Sequence, residues 1–344
     1  MAYIPEYTIT PLLLSHVERI AALRERILSA PVSLAWIPGL QKDTRSRNVH
    51  ASTAIEGNPL TLEQVRALEE GRELANPGER SRREVLNYFA GLRHIEKRAS
   101  QSPGLRIVHE DIFELHRILA KGVMDQGTAG RYRSINVQVG TYRPPAHEKV
   151  SGYMFELLEW WNKESGKLSP ILSSAILHHR FETIHPFADG NGRTGRALAL
   201  WDLYKRGFDT HHIFSVDEFY REDRARYYKE LDAVRRAGDD LSGWLEYSAE
   251  GLAQTLERVW IRIQAFSTDS GTKLELRPAQ QRLLNLLRDS HGMAPAELWH
   301  AMNMSRQGVM GLLNPLLDAG IVVREGGKKS GRYNLASSSR PNAS

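Results

Sequence analysis

The chain of 344 residues contains no cysteine. This absence excludes disulfide bonds and thiolate metal sites, and it fits a reducing compartment, so we expect a cytoplasmic location. No stretch approaches the run of about eighteen apolar residues that a transmembrane helix needs, so we expect no contact with a membrane. The N-terminal stretch lacks a positive region and a clear cleavage site, so we also predict no signal peptide.

The sequence has little excess charge outside its C-terminal end. Its net charge is +5, from 46 Lys and Arg against 41 Asp and Glu. Residues 273–344 contain ten basic and five acidic residues, so this segment accounts for the whole excess, and the residues before it are neutral in sum. Any electrostatic attraction to nucleic acid is therefore expected at the C-terminal end alone.

Hydrophobic residues make up 41% of the chain and charged residues 25%, which is the usual mixture of a globular protein. Apolar residues recur at helical spacing, and this predicts a mainly α-helical fold. The predicted helices cover residues 12–28, 42–56, 81–99, 110–121, 150–163, 171–184, 193–205, 222–236 and 241–265. Thr61 and Gln64 have the spacing of a capping box, so a further short helix is expected there.

The period changes at residues 135–145, INVQVGTYRPP. Ile135, Val137 and Val139 alternate with polar residues, and Gly140 can turn the chain. Alternation over so few residues predicts a short β-hairpin within a helical protein.

The C-terminal segment has a pattern of its own. Residues 267–272, STDSGT, have the composition of a linker. Residues 277–335 then predict three helices and a strand pair, with Gly326 and Gly327 near its turn. This order is typical of a winged helix-turn-helix domain, so we expect DNA as one partner and a protein as the alternative.

The third predicted helix of this segment would then be the recognition helix, because Ser305, Arg306 and Gln307 lie at its N-terminal end. A single domain of this kind usually needs a partner copy to bind DNA usefully, so a homodimer is also an expectation. The residues of the predicted wing that could meet phosphates are Arg324, Lys328, Lys329 and Arg332.

The loop HPFADGNGRTGR, residues 185–196, carries the clearest chemistry. Gly190 and Gly192 bracket Asn191 directly before a predicted helix. Glycines allow positive φ, so successive backbone N–H groups can turn toward one point. The helix N-terminus adds unpaired donors and a positive dipole end, so the loop predicts a cradle for a pyrophosphate.

Four side chains extend this prediction. Arg193 and Arg196 lie on one face of the helix and can each hold a phosphate. Asp189 supplies a hard oxygen ligand where a Mg²⁺ bridging phosphates needs one. His185 is the residue type whose pKa suits removal of a proton from a hydroxyl. The set predicts transfer of a phosphorus group from a nucleotide to a hydroxyl, whereas a lone Gly-rich turn would indicate no more than a helix cap.

Residues 185–196 match the Fic motif, HPFx(D/E)GNGRxxR, at every defined position, and the resemblance to that family extends from about residue 45 to 265. The resemblance implies a Fic-type helical core. It also implies transfer of AMP from ATP, with Mg²⁺, onto a Ser, Thr or Tyr hydroxyl of a target protein, which could be the chain itself. Transfer of another nucleotide or of a phosphoryl group is the alternative within the same chemistry.

The same resemblance assigns roles to residues. His185 would activate the acceptor hydroxyl, and Asp189 would bind Mg²⁺. Arg235 stands where some relatives have an Asn, and this departure leaves a strict preference for ATP open. The residues implied to hold the nucleotide are Gly190, Asn191, Gly192 and Arg193 for the α- and β-phosphates, Arg196 for the γ-phosphate, and Tyr227 and Tyr228 for the adenine.

The predicted hairpin resembles the flap of the family. Its edge, with Val137, Val139 and Gly140, would pair with an extended target segment through main-chain hydrogen bonds. Such pairing would bring the acceptor hydroxyl to His185. A plain surface hairpin is the alternative interpretation.

Residues 52–58, STAIEGN, resemble the inhibitory motif (S/T)xxxE(G/N) of the family. The resemblance implies that Glu56 lies against Arg196, with Ser52 one turn before it. A carboxylate there would occupy the guanidinium that should hold the γ-phosphate, so ATP would bind misaligned. The same Glu could instead orient a water for AMP removal, and an exposed helix end is the alternative.

The remaining histidines are assigned to no metal. His178 and His179 are adjacent on a predicted helix and point about 100° apart, which is poor geometry for a shared ion. His116 lies among apolar neighbours on another predicted helix, so it is interpreted as a packing residue.

The sequence thus predicts a mainly α-helical protein with an N-terminal helical region at 1–100, a Fic core at 101–266 and a winged-helix domain at 273–336. The predicted activity is protein adenylylation, restrained by Glu56. The alternative from another class is a DNA-binding regulator whose core merely senses a nucleotide. The intact His185 argues against that alternative, because a sensor needs no base.

Overall fold

A computed structural model of the chain describes residues 3–30, 37–74, 78–101, 106–208, 212–267, 278–290, 292–318, 321–325 and 331–335. Helices make up most of this part of the chain, with one two-stranded antiparallel sheet. The predicted mainly α-helical class is therefore confirmed. Of the linker predicted at 267–272, Ser267 belongs to the last helix before it and residues 268–272 lie outside the described residues, as does the turn at Gly326 and Gly327.

The first eleven helices are α1 (Pro11–Ser29), α2 (Ile37–Ile55), α3 (Leu62–Glu69), α4 (Glu79–Gln101), α5 (His109–Leu119), α6 (His147–Lys163), α7 (Pro170–Ile184), α8 (Asn191–Lys205), α9 (Asp217–Glu222), α10 (Arg224–Arg236) and α11 (Ser242–Ser267). They are followed by α12 (Pro278–Asp289), α13 (Pro295–Met302), α14 (Arg306–Asp318), β1 (Val322–Glu325) and β2 (Arg332–Leu335).

Local sequence explains where several helices begin. The capping box predicted at Thr61 is present at the start of α3, where Gln64 and Thr61 bond each other's backbone N–H groups. Before α7, Ser169 caps the N–H of Ile171. The prediction of one helix over 222–236 misses a break, because the Asp223 side chain caps the N–H of Arg226 and so starts α10 separately from α9.

The chain divides into two compact units. The first comprises residues 1–25 and 44–258, and the second comprises residues 26–43 and 259–344. The three-part domain division that the sequence predicts stays a prediction.

Two adjacent helices, α7 and α8, form the centre of the first unit. Twelve of the fifteen residues of α7 are buried, as expected for a helix that is covered on every side. The pair is also joined by polar contacts, since Asp202 of α8 accepts hydrogen bonds from Trp161 and Ser173. The loop 185–190 connects these two helices, so its ends are fixed by the best-packed part of the unit.

In the second unit, three helices precede the strand pair, in the order that the sequence predicts. The sheet pairs Val322 with Leu335 and Glu325 with Arg332. The apolar faces of α12, α13, α14 and the strands form the core, with Leu283, Leu298, Val309, Leu313, Leu316 and Tyr333 among its buried residues.

Candidate active site

The loop between α7 and α8 holds an unusual backbone conformation at both ends. His185 follows α7 at φ 50° and ψ 61°, a left-handed conformation that non-glycine residues seldom adopt. Gly190 precedes α8 at φ 78°, where glycine carries no steric penalty. The chain therefore leaves one helix and enters the next within six residues, and the open N–H groups of α8 face the loop.

Asn191 closes this loop from inside. Its side-chain Oδ1 accepts a hydrogen bond from the Phe187 N–H at 2.8 Å, and its Nδ2 donates to the Phe187 carbonyl at 2.8 Å. The Phe187 ring is fully buried. Both polar atoms of the Asn191 side chain are thus used to hold the loop, and its backbone N–H is the group left for an anion.

His116 of α5 supports the same loop, although the sequence suggested a packing residue only. Its ring stacks on Phe187 with centroids 3.6 Å apart. Its Nδ1 accepts from the Gly130 N–H at 2.8 Å, which leaves Nε2 to donate to the Asp189 carbonyl at 2.9 Å. Burial lowers the pKa of His116 to about 4, so this neutral tautomer persists at pH 7.

His185 is positioned by contacts to its backbone and its ring. Its carbonyl accepts from Arg133 Nε at 2.8 Å, and its Nδ1 lies 3.7 Å from Glu182 Oε2. Burial lowers the pKa of His185 to about 4, so the imidazole is neutral at pH 7 and Nε2 can accept a proton. Neither Arg133 nor Glu182 was singled out from the sequence, because both contacts depend on how the loop folds back.

Asp189 and Arg193 lie together at the start of α8. Asp189 Oδ1 accepts from the Gly190 N–H at 2.6 Å and lies 3.7 Å from Arg193 Nη2. The Arg193 side chain is 4% exposed, and its Nη1 lies 3.5 Å from Glu84 Oε1. Neither Nε nor Nη1 has a hydrogen-bond partner among the described residues. A buried guanidinium with unused donors is what a phosphate-binding cradle requires.

Arg196 makes more contacts, although its Nη1 has no hydrogen-bond partner among the described residues. Its Nε donates to Ser52 Oγ at 2.8 Å, and its Nη2 donates to the Ser52 carbonyl and to Glu56 Oε1 at 2.9 and 2.8 Å. Asp217 Oδ2 lies 3.6 Å from the Nε. No sequence motif predicts a role for Asp217, which reaches the arginine from α9.

The carboxylate of Glu56 occupies space directly above α8. A Cβ on Gly192 would lie 2.3 Å from Glu56 Oε1, so a residue larger than glycine would collide with it. Partial burial opposes ionisation of Glu56, but the charge and hydrogen bond of Arg196 outweigh it and leave the pKa of Glu56 below its usual value. A negative charge therefore lies against Arg196 in this conformation.

The two tyrosines assigned to adenine have different surroundings. Tyr227 is 1% exposed, and its hydroxyl lies 3.1 Å from His178 Nε2 within the core. Tyr228 is 38% exposed and is the one with a free ring surface. Neighbouring His179 is also held in the core, with Nε2 3.2 Å from the Leu231 carbonyl.

The predicted flap is a tight turn rather than two regular strands. Val139 and Tyr142 exchange both backbone hydrogen bonds at 2.9 Å, and Gly140 has φ 58° between them. The Tyr142 hydroxyl donates to the Thr183 carbonyl at 2.8 Å, and the Arg235 guanidinium stacks 3.6 Å from its ring centroid. The tip is thus joined to α7 and α10.

Arg133 joins the flap to the loop of His185. Besides the His185 carbonyl, its guanidinium donates to the carbonyls of Ile135 and Pro145, at the two ends of the flap. Its own N–H donates to the Pro186 carbonyl at 2.9 Å. One buried side chain therefore fixes the distance between the flap and the histidine.

Comparisons with known proteins bear on this arrangement. Residues 106–203 match the family model of the Fic/DOC family. The chain is 34% identical over 234 residues to the Protein adenylyltransferase fic-1 of Caenorhabditis briggsae, a match that covers 67% of this chain and 44% of that protein. It therefore corresponds to less than half the length of that relative.

Two solved structures are also similar. A Fic family protein from Desulfovibrio desulfuricans G20 is 28% identical with a TM-score of 0.66, and the match covers 98% of this chain and 100% of that one. A variant of a Fic-1 fragment from Caenorhabditis elegans is 30% identical with a TM-score of 0.59, over 73% of this chain and 71% of that one.

Proposed function

This chain belongs to the Fic/DOC family, and we propose that it is a protein adenylyltransferase that moves AMP from ATP to a hydroxyl of a target protein. The observation that carries the proposal is the neutral His185 beside a cradle made of the α8 N-terminus and the unused donors of Arg193. Several relatives named protein adenylyltransferase support it.

In the proposed reaction, His185 Nε2 takes the proton of a Ser, Thr or Tyr hydroxyl, and the oxygen attacks the α-phosphorus of ATP. The bond from that phosphorus to the bridging oxygen of the β-phosphate breaks, and pyrophosphate leaves. The backbone N–H groups of Asn191 and Gly192, together with Arg193, hold the phosphates in line for this attack, and Gly190 provides the turn before them. Arg196 holds the γ-phosphate.

A magnesium ion fits the residues of the cradle. Asp189 presents a carboxylate, 27% exposed, at the mouth of the anion site, and oxygen ligands of this kind are the ones that Mg²⁺ prefers. We propose that Asp189 holds the ion, which would neutralise phosphate charge when bound.

We propose that Glu56 holds the enzyme off. Its contact with Arg196 takes the guanidinium that the γ-phosphate needs, and its charge would repel that phosphate. Arg196 is already held by Ser52 and Asp217, so departure of Glu56 would leave an oriented guanidinium rather than a free one.

The acceptor is proposed to bind as an extended segment along the flap edge at Val137, Val139 and Gly140. Val139 is 37% exposed, and Arg133 fixes the flap to the loop that carries His185. Pairing at this edge would place an acceptor hydroxyl by its backbone and would leave side-chain identity largely free.

Labelled nucleotide separates adenylylation from its alternatives. The Glu56→Gly protein should transfer label from the α-phosphate of ATP to itself or to a target, and Glu56→Gly with His185→Ala should transfer none. Label from the γ-phosphate instead would identify a phosphoryl transferase. Label from neither position, with a cell extract as acceptor, would favour a nucleotide sensor.

For the second unit we propose a winged helix-turn-helix that binds DNA as a homodimer, in a cytoplasmic protein. Ser305, Arg306 and Gln307 are exposed at the start of α14, where such domains contact the major groove. In the wing, Lys328 and Lys329 lie outside the described residues, and Arg332 is bonded to the Gly292 carbonyl.

This second proposal has its own test. Arg306→Ala should weaken salt-dependent binding to duplex DNA, while Arg236→Ala, a similarly exposed arginine in the first unit, should leave binding unchanged. Equal binding by wild type and Arg306→Ala would contradict DNA recognition by α14.

A further inference from the structure

A buried carboxyl lies beside the catalytic histidine and against the motif helix α8. Glu182 precedes His185 by one turn of α7, and its Oε2 lies 3.7 Å from His185 Nδ1. The side chain is 9% exposed, and Oε1 has no hydrogen-bond partner among the described residues. Burial of a carboxyl with an unpaired oxygen lowers the stability of the fold, so we expect a function that requires it.

The neighbouring helix leaves room for this carboxyl. A Cβ on Gly195 would lie 2.4 Å from Glu182 Oε1 and 3.2 Å from the Phe181 ring. Any larger residue at 195 would push the carboxyl away from where it lies. The absence of a side chain at Gly195 therefore lets Glu182 lie directly against the motif helix α8.

The groups facing Glu182 come from four elements. They are Arg196 of α8, Glu56 in the turn after α2, Arg235 and Tyr227 of α10, and His185 in the loop after α7. Burial raises the pKa of Glu182 to about 7 against the opposing charge of Arg196, and Glu56 raises it further. The carboxyl thus changes its ionisation near neutral pH.

His185 needs a nearby negative charge to act as a base. Burial disfavours its protonated form, a hydrogen bond to the Glu182 backbone and the charge of Glu56 favour it, and the charges of Arg133 and Arg235 disfavour it. When Nε2 accepts a proton, the ring becomes an imidazolium, and the closest carboxylate on its Nδ1 side is that of Glu182. A carboxylate at this ion-pair distance stabilises the cation, while the ring's hydrogen bond is to the Glu182 backbone.

We propose that Glu182 is a positioning residue for His185, and that its carboxylate stabilises the imidazolium formed during transfer. This inference rests on the proposed function. The acceptor hydroxyl loses its proton to Nε2 as its oxygen bonds to the α-phosphorus, and pyrophosphate leaves with the electron pair of the broken bond. The imidazolium, paired with Glu182, then returns its proton to solvent.

The first test is a pH profile of AMP transfer in the Glu56→Gly background. The rate should rise with pH as Glu182 ionises, with a midpoint below about 7 because Glu56 no longer raises the pKa of Glu182. Glu182→Gln should lower kcat at least about tenfold and abolish that rise, with KM for ATP unchanged. Glu182→Asp, which restores the charge, should recover part of kcat. Asp202→Asn, which removes a buried carboxyl bonded to Trp161 instead, is the matched control and should keep the profile.

The second test needs no transfer at all. In an NMR titration from about pH 5.5 to about pH 8.5, the His185 ring signals should show an inflection near 7 that Glu182→Gln removes and Asp202→Asn retains. An unchanged profile, or an inflection that survives Glu182→Gln, would overturn the proposal. If the Glu56→Gly protein transfers no AMP, the proposed function fails, and this titration still decides whether Glu182 and His185 are coupled.

Discussion

Two glycines of α8 determine what can lie above the phosphate cradle. Gly192 faces the carboxylate of Glu56, and Gly195 faces that of Glu182. In the sequence both appear as parts of a phosphate-binding motif, and the first was assigned to backbone N–H geometry. The structure adds that each also makes room for an acidic side chain from another helix.

At the residue scale, Gly195→Ala should lower the free energy of unfolding by about 1–3 kcal/mol, because its Cβ would overlap Glu182. Gly152 lies within α6 and has open space around it, so Gly152→Ala should raise that free energy by about 0.5–1 kcal/mol. Urea unfolding of both variants measures the difference. Equal effects of the two substitutions would mean that Gly195 is not in contact with Glu182.

At the scale of elements, the flap depends on one arginine. Arg133 donates to carbonyls at both ends of the flap and to that of His185. A lysine offers one ammonium in place of a planar fork, so it cannot satisfy these carbonyls together. The position of the flap relative to His185 should therefore change when Arg133 is replaced.

Arg133→Lys should lower the free energy of unfolding by about 1–3 kcal/mol, since buried carbonyls lose their donors. It should also reduce AMP transfer in the Glu56→Gly background. Arg131→Lys, two residues away and exposed, should change neither quantity. Thermal unfolding and labelled-ATP assays measure both, and an active, stable Arg133→Lys protein would contradict a structural link between flap and loop.

Elements and sites differ in how far the sequence predicts them. Periodicity predicts the long helices, because a helix that buries one face has an apolar residue at every third or fourth position. The contact of Glu56 with Arg196 was expected from two short motifs and is present in the structure. His116, Glu182 and Asp217 were missed, because each reaches the site from an element whose orientation no local pattern encodes.

At the scale of the whole molecule, four buried histidines make the fold sensitive to acid. Burial lowers the pKa of His116, His178, His179 and His185. The unfolded chain therefore binds more protons between about pH 6.5 and pH 4, so stability falls as the pH falls through that window. The pKa of Glu182 is raised, so its contribution to stability changes with pH in the opposite direction and offsets the contribution of one of the four histidines.

Each such histidine should contribute a slope of up to about 1.4 kcal/mol per pH unit. His179→Gln should reduce the measured slope of unfolding free energy against pH, because Gln can still donate to the Leu231 carbonyl without titrating. His300→Gln, at an exposed position of the second unit, should leave the slope unchanged. The prediction fails if the two variants give the same slope as wild type.

The central claim is that the site transfers AMP and is held off by Glu56. A charge-assisted hydrogen bond in a partly buried site contributes about 1.5–3 kcal/mol. Loss of the bond between Glu56 and Arg196 should therefore raise the rate of AMP transfer about tenfold or more. The matched control is Glu73→Gly, which removes a carboxylate from an exposed loop after α3.

The most direct measurement is the initial rate of AMP transfer from α-labelled ATP by wild type, Glu56→Gly and Glu73→Gly at equal concentration. The account predicts at least about a tenfold higher rate for Glu56→Gly, and a rate equal to wild type for Glu73→Gly. Equal rates for all three proteins would contradict the brake, and no transfer by any of them would contradict the activity itself.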